Sequence, residues 1–270
     1  MQTQARARPD AIDAPSRIAL FLDLDGTLID IAPTPSVTAP PPGLSGLVAE
    51  LTEGLDGAVA ILSGRTLATI DRLLDPLRPL AAGAHGAEMR EERGGDGRAV
   101  APPLPERLVQ AVARLSELDP GVAIEPKGSA IAVHYRLAAQ RAPELLRRLE
   151  ALLAESALPL EIRPGRMVFE ITPKSVSKGE ALKAFMQRPA FRGRRPIAIG
   201  DDATDLDAFV AAEQFGGQGL RVAGEFFAEA DADFDGTAAV RRWLLGLAVR
   251  IAAEKDGEAS CSSIPPWTSP

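Results

Sequence analysis

The chain has 270 residues and a formal net charge of -7, which argues against a dedicated surface for nucleic acid or anionic membrane. One cysteine, Cys261, and two histidines exclude a disulfide framework and a cysteine-based metal cluster. No apolar run reaches the roughly 20 residues that span a bilayer, and the N-terminus lacks the apolar core of a secretory signal. We therefore expect a cytoplasmic protein without nucleic-acid or membrane partners.

Short apolar runs alternate with helical patterns along most of the chain, an order typical of βαβ units around a parallel sheet. Four runs predict strands of that sheet, at residues 18–22, 58–62, 197–199 and 220–222. The proline-rich segment 33–42 predicts a loop, and 44–55 predicts a helix. Residues 1–16 and 256–270 are polar or proline-rich, and we expect them to be disordered tails.

The middle of the chain has a different pattern, in which helix, strand and strand follow one another twice. This order predicts an α+β insert at residues 103–173, which interrupts a parallel-sheet core formed by residues 17–102 and 174–255. An insert at this place can cover one edge of the sheet, exclude water and select a substrate. The predicted fold class is therefore α/β, a Rossmann-like parallel sheet with an inserted α+β cap domain.

The first strand ends in two carboxylates and a glycine turn. Alternation along the strand places Asp23 and Asp25 on one side and Leu24 on the other. Gly26 permits a sharp turn, and Thr27 adds a hydroxyl. Two acids so close repel each other unless a cation or a shared proton intervenes. The pattern favours a magnesium site with one nucleophilic carboxylate, although an exposed Asp-Gly turn would give the same letters.

The second strand runs directly into Ser63, Gly64 and Arg65. A hydroxyl and free backbone amides at the start of a helix form an anion site, because the amides and the helix dipole both favour negative charge. The alternative is that Ser63 is only the N-cap of the helix that contains Leu67 and Ile70. The two roles are compatible.

Two later motifs add a lysine and more acids. Ser177 and Glu180 have the spacing of a capping box, which places Lys178 in a first helical turn, where a cation is disfavoured unless it faces an anion or a carboxylate. A buried strand then ends in Asp201 and Asp202. Carboxylates from two neighbouring strand ends suit a hard cation such as magnesium.

These four motifs, in this order, resemble those of the haloacid dehalogenase superfamily of phosphohydrolases. Within it, the chain resembles the trehalose-6-phosphate phosphatase family, through residues 83–88, 125–128, 133–136 and 169–173 and the motif around Lys178. The likeness extends from about residue 18 to residue 247. It implies a magnesium-dependent phosphatase that hydrolyses trehalose 6-phosphate to trehalose and phosphate, and a small-molecule substrate for a monomeric enzyme.

The resemblance also implies roles for individual residues. Asp23 would attack phosphorus and form an aspartyl-phosphate, and Asp25 would act as acid and then base. Magnesium would bind the Asp23 and Asp201 carboxylates and the Asp25 carbonyl. The phosphoryl oxygens would be held by Ser63, the Gly64 amide and Lys178, whereas Thr27, Asp202 and Asp205 would orient the groups around the metal.

Sugar specificity would come from the cap, where Glu125, Lys127 and Glu170 match positions that contact sugar hydroxyls in the family. Strand-face charges or a cross-strand salt bridge would explain these three residues equally well. Arg65 and His85 are further candidates for substrate binding, and we expect His85 and His134 to be orienting or packed residues because Asp25 already supplies the acid and base chemistry.

Two positions depart from the family pattern. Leu206 stands where an acid is usual, with Asp207 after it, and Pro126 lies within the Glu-x-Lys motif beside Glu125. Two alternatives to the implied function also remain open. The chain could hydrolyse another sugar phosphate, such as sucrose phosphate or mannosyl-phosphoglycerate. It could also be a catalytically silent phosphosugar sensor, although a pure binding protein needs no acid or base such as Asp25.

Overall fold

Two β-sheets organise the chain, which the computed structural model describes over residues 12–31, 39–165 and 167–262. The strands are β1 (Ile18–Leu22), β2 (Val59–Leu62), β3 (Leu80–Gly83), β4 (Glu88–Arg90), β5 (Arg98–Ala99), β6 (Ala123–Pro126), β7 (Ile131–His134), β8 (Leu160–Gly165), β9 (Val168–Pro173), β10 (Arg195–Gly200) and β11 (Gln218–Arg221). The helices are α1 (Leu44–Gly54), α2 (Leu67–Leu73), α3 (Glu106–Ala113), α4 (Ala142–Ser156), α5 (Lys178–Met186), α6 (Leu206–Gln214) and α7 (Thr237–Ser262).

The larger sheet has seven strands in the order β11-β10-β1-β2-β3-β4-β5. The first five are parallel, and β4 and β5 are added antiparallel. Every residue of β1 and β2 is buried, so both faces of the sheet are covered there, as expected for parallel strands. The chain proceeds to one side of β1 through β2 and β3 and to the other side through β10 and β11. The carboxyl ends at this reversal form a crevice, where α/β folds bind ligands.

The smaller sheet is antiparallel, with the order β6-β7-β9-β8. Its residues and those of α3 and α4 share a hydrophobic cluster of their own, which includes Val112, Ile131, Leu145 and Ile171. The cluster in the larger sheet is separate. The helices and strands from about residue 104 to residue 173 therefore form an α+β layer with its own hydrophobic cluster. The domain boundaries given above stay predictions.

All four strands and the α1 helix predicted for the core lie within a residue or two of the observed elements. The expectation of disordered tails is wrong where the structure describes them. Helix α7 continues to Ser262, and buried residues in its earlier part, which include Val240, Leu244 and Ile251, pack against the core. Ile12 is buried, and the amide of Ser16 donates to Glu254 Oε2 at 2.7 Å. Residues 1–11 and 263–270 lie outside the described residues.

No helix in the described part of the chain is both long and apolar enough to cross a membrane.

Candidate active site

Three aspartates from two strand ends form a buried acidic cluster. Asp23 follows β1, whereas Asp201 and Asp205 follow β10, which pairs with β1 in parallel. One carboxylate oxygen of each lies within 4.8 Å of the other two, and all three residues are buried. The predicted convergence of the two acidic strand ends is therefore present. Asp205 is a full member of the cluster, although the sequence resemblance gave it only an orienting role.

Lys178 is placed by the start of α5 so that its ammonium group reaches this cluster. Its Nζ donates to Asp23 Oδ1 and to Asp205 Oδ1, each at 2.7 Å, and its side chain is 3% exposed. Ser177 caps the helix by accepting a hydrogen bond from the amide of Glu180. A cation in a first turn is thus compensated by two carboxylates, as the sequence argument required.

The charges in the cluster do not balance, because three carboxylates surround one ammonium group. Burial raises the pKa of Asp23 well above its usual range, with Lys178 opposing this and Asp205 adding to it. Burial and Asp205 together raise the pKa of Asp201 to about 7. Burial would lower the pKa of Lys178, but the two neighbouring carboxylates raise it. A further cation would relieve the repulsion, and buried carboxylate oxygens are ligands that magnesium prefers.

Gly26 and Thr27 bring the two strand ends close together. Gly26 has φ +81°, and a Cβ atom there would lie 2.0 Å from Asp201 Oδ2, so no other residue fits without displacing that carboxylate. The Thr27 hydroxyl donates to Asp201 Oδ1 at 3.3 Å. These contacts orient the Asp201 carboxylate toward the cluster, and the role of Thr27 around a metal stays a prediction.

The turn after β2 places Ser63 at the same edge of the sheet. Ser63 is 1% exposed, and its Oγ accepts a hydrogen bond from the amide of Arg65 at 3.2 Å. The N-cap of α2 is Thr66, whose side chain accepts from the amide of Thr69. The alternative that Ser63 is the helix cap is therefore wrong, because the chain makes another turn before the helix begins.

Arg65 and Asp25 form a two-pronged ion pair across the site. Arg65 Nε lies 2.5 Å from Asp25 Oδ2, and its Nη2 lies 2.6 Å from Oδ1. Burial would lower the pKa of Arg65, but the hydrogen bonds and charge of Asp25 raise it. This fork is among the stronger charge-assisted contacts that side chains make. It orients the predicted acid and base toward the turn that carries Ser63.

The cap meets the core through Glu170 on β9. Glu170 Oε2 lies 2.6 Å from His85 Nε2 in the core, and its Oε1 accepts from Lys127 Nζ at 2.8 Å. The same Lys127 Nζ donates to the backbone oxygen of Gly64 at 3.0 Å. Burial would raise the pKa of Glu170, but His85 and Lys127 hold it well below its usual range. These contacts join the predicted sugar-binding residues to the turn that is predicted to bind phosphate.

The remaining cap candidates pair with each other. Glu125 Oε2 lies 2.9 Å from His134 Nε2 and 3.9 Å from Lys127 Nζ. The hydrogen bond with His134 lowers the pKa of Glu125. Both Glu125 and His134 are partly exposed, so they can exchange partners with an incoming hydroxyl at little cost in desolvation.

Asp202, the second acid of the motif after β10, makes hydrogen bonds within its own loop. The Asp202 carboxylate accepts from the amide of Ala203 at 2.7 Å, and Asp205 Oδ2 accepts from the amide of Asp202 at 3.1 Å. Leu206, where the family carries an acid, begins α6 and is 38% exposed. Asp207 lies 3.8 Å from Arg163 of the cap. The local negative charge is thus displaced by one residue toward the cap.

A cavity of about 660 Å³ lies between the core and the cap. Its lining includes every catalytic, substrate-binding and metal candidate that the sequence predicts except the buried Ser63, and it lacks Asp205 of the acidic cluster. Arg136 and Arg163, for which the sequence left substrate contact and solvation open, also line it. The sequence did not point to some other lining residues: Ile31, Thr66, Thr69, Arg72, Glu225 and Phe226. Glu225 and Phe226 follow β11, so the rule that ligands bind beyond the carboxyl ends of parallel strands would have pointed to them.

Comparison with known proteins identifies the family. The profile described as trehalose-phosphatase matches residues 21–238. A probable trehalose-phosphate phosphatase of Sinorhizobium fredii (strain NBRC 101917 / NGR234) is 43% identical over 204 residues, which cover 76% of this chain and 77% of the relative. The trehalose-6-phosphate phosphatase of Escherichia coli (strain K12) is 36% identical over 212 residues, 77% of this chain and 78% of the relative.

The fold agrees with this assignment. The C-terminal domain of the Candida albicans trehalose-6-phosphate phosphatase superposes with a TM-score of 0.73 at 23% identity, over 86% of this chain and 93% of that domain. At this identity the likeness concerns the fold alone, and it confirms the predicted α/β core with a cap. The chain therefore belongs to the trehalose-phosphatase family, a group of phosphoric monoester hydrolases with the haloacid dehalogenase fold.

Proposed function

We propose that this enzyme hydrolyses trehalose 6-phosphate to trehalose and inorganic phosphate through an aspartyl-phosphate on Asp23. The observation that carries the proposal is the position of Asp23 and Lys178 on one wall of a cavity whose other wall is the cap. The names of the relatives support the choice of substrate.

In the first step, a carboxylate oxygen of Asp23 attacks phosphorus while the bond from phosphorus to the sugar oxygen breaks. Asp25 gives its proton to the departing oxygen, which leaves as a trehalose hydroxyl. In the second step, water attacks phosphorus, Asp25 takes the proton from that water, and the bond to Asp23 breaks. Asp25 can carry the first proton once Arg65 has left its carboxylate, and the substrate phosphate is the competing anion for that guanidinium.

Lys178 and the turn of Ser63 and Gly64 would hold the transferring oxygens. Lys178 orients Asp23 and stabilises the negative charge that develops on the phosphoryl oxygens. Asp23, Asp201 and the carbonyl of Asp25 would hold a magnesium ion at the acidic cluster. When bound, it supplies positive charge that allows an anionic nucleophile to approach an anionic phosphate.

The cap would read the sugar through hydrogen bonds. Glu170 would accept hydrogen bonds from sugar hydroxyls in place of its contact with His85. Lys127 would donate to sugar hydroxyls in place of its contact with the Gly64 carbonyl. Glu125 and His134 offer a second pair nearer the opening. A substrate that lacks these hydroxyls leaves charged groups unpaired, and such mismatches support large discrimination. The predicted cytoplasmic location and monomeric state stay predictions.

The test is phosphate release from trehalose 6-phosphate and from a panel of other sugar phosphates, with magnesium and after chelation. D23N should abolish turnover, and D207N is the matched control because Asp207 lies outside the acidic cluster. Acid quenching of a single turnover should leave phosphate on the peptide that contains Asp23. Preference for another sugar phosphate would reject the substrate, whereas binding without turnover of any ester would support the sensor.

A further inference from the structure

A short turn after β11 carries two adjacent phenylalanines at the edge of the catalytic cavity. The amide of Gly224 donates to the carbonyl of Phe227 at 3.0 Å, which closes the turn. Phe227 is 7% exposed, and its ring lies 6.1 Å from the ring of Phe209 and 5.4 Å from the guanidinium carbon of Arg221. The turn is therefore anchored to the core by its second phenylalanine.

The first phenylalanine, Phe226, faces the cavity. It is 48% exposed, and its ring meets that of Phe227 at a centroid distance of 4.8 Å and an angle of 81°. Single exposed phenylalanines on a surface need no explanation, but this one lines the space above the acidic cluster. A Cβ atom on Gly224 would lie 3.8 Å from Asp201 Oδ2. Phe226 lies two residues after Gly224, so the backbones of the two residues are at most about 7 Å apart.

The two walls of the cavity differ in chemistry. The cap wall offers Lys127, His134 and Glu170, which hydrogen-bond, whereas Phe226 offers a flat apolar surface from the core wall. Among the cavity-lining residues that the structure describes, Phe226 has the one phenyl ring. A pyranose has the matching chemistry, since its hydroxyls point outward from the ring and its C–H bonds form an apolar face. Burial of an exposed phenyl ring against that face removes apolar surface from water.

We propose that Phe226 is the platform on which a pyranose ring of the substrate stacks, and that it sets the preference of this enzyme for sugar phosphates. This inference rests on the proposed function and adds a specificity residue on the core side of the cavity. The phosphoryl group is held by other residues. Phe226 therefore acts on the affinity for the sugar and leaves the affinity for phosphate unchanged.

The two products of the reaction separate these contributions. In F226A, trehalose should inhibit about ten- to a hundredfold more weakly than in the wild type, the range expected for removal of apolar contact in a pocket. Inorganic phosphate should inhibit within twofold of the wild type. The kcat/KM for trehalose 6-phosphate should fall by the same factor as the affinity for trehalose, chiefly through KM. F226Y should retain the wild-type values, because it keeps the flat ring.

Phe215 offers a matched control, since it is 37% exposed and lies outside the cavity lining, so F215A should change neither inhibition constant. Unchanged trehalose inhibition in F226A would overturn the inference. Equal weakening of trehalose and phosphate inhibition would also overturn it, because the turn would then act through Asp201. If the wild type does not hydrolyse trehalose 6-phosphate, the proposed function itself fails. Thermal unfolding of each variant verifies that it is folded.

Discussion

Removal of the Lys178 ammonium group should destabilise the protein strongly, because it leaves buried carboxylates without their cation. The substitution Lys178→Met keeps the length of the side chain and deletes its charge. Both ion pairs are short, at 2.7 Å, and the lysine and its two partners are almost fully buried. At that distance each pair is worth about 6 kcal/mol at an effective dielectric constant of about 20.

The desolvation of three charged groups offsets most of that attraction, so the measured loss is far smaller than the sum of the pairs. Breaking a buried pair from one side costs about 3–5 kcal/mol, and we expect a loss near 4 kcal/mol in the free energy of unfolding. The assay is denaturation by urea at pH 7.5 in a metal-free buffer. The double variant K178M/D205N should recover about half of the loss, since it removes one of the unpaired charges as well.

The pH dependence gives a second check on the same reasoning. The pKa of Lys178 is raised in the folded state, so its own contribution is fully present below the unfolded value of about 10.4 and does not vary between pH 5 and 8. Any change of the stability loss with pH in that range comes from the carboxylates. Protonation of Asp23 or Asp201 reduces the repulsion between the unpaired carboxylates of the variant. The loss should therefore be smaller at pH 5 than at pH 8. A loss below 1 kcal/mol, or exact additivity of K178M and D205N, would refute the reasoning.

Three further predictions concern the other ion pairs and the acidic cluster. Arg65→Met should lower kcat/KM about a hundredfold, because it removes the guanidinium that is proposed to leave Asp25 for the substrate phosphate. R65K should recover little, because one ammonium group cannot form two parallel hydrogen bonds, and full recovery would contradict this. Glu170→Gln should cost about 2 kcal/mol of stability from pH 6 to 8. The pKa of Glu170 is held well below its usual range in the folded state, so this contribution is fully present above the unfolded pKa of about 4.3 and decreases progressively below it. A gap in urea denaturation that does not narrow between pH 6 and pH 3 would contradict the assignment. Magnesium at a hundredfold excess over its dissociation constant should stabilise the wild type by about 2.7 kcal/mol, which a rise in the unfolding temperature reports. D201N should lose most of this rise, and an equal rise in both proteins would place the ion elsewhere.

The sequence predicted the part of this site that depends on strand order. Asp23, Ser63 and Asp201 each follow a buried apolar run, and parallel strands bring their carboxyl ends to one edge whatever the intervening loops do. The unfavourable dipole at the start of its helix indicated that Lys178 faces an anion or a carboxylate, but only weakly. The resemblance to the family was needed to assign roles to Lys178 and Ser63.

Contacts that depend on tertiary distances could not be read from the sequence. Nothing in the spacing of Arg65 and Asp25 indicates that a fork joins them, and Asp205 has the same local pattern as a helix-capping acid. Phe226 belongs to no motif and is recognised by its exposure beside the cavity. The tail after residue 256 was misjudged because its polar composition is also that of an exposed helix, here held by the buried first half of α7.

The backbone of Gly64 joins the two halves of the proposed reaction. Its carbonyl accepts from Lys127, whose other partner is Glu170, and its amide belongs to the turn proposed to hold phosphate. A Cβ atom on Gly64 would lie 2.4 Å from His85 Nε2, which is itself the second partner of Glu170. We therefore expect a sugar hydroxyl that displaces Lys127 or His85 from Glu170 to change the contacts of the turn proposed to hold phosphate. Under the proposed function, Gly64 would couple sugar recognition to phosphoryl transfer through the two peptide units that flank it, so substitutions at Glu170 should alter kcat as well as KM.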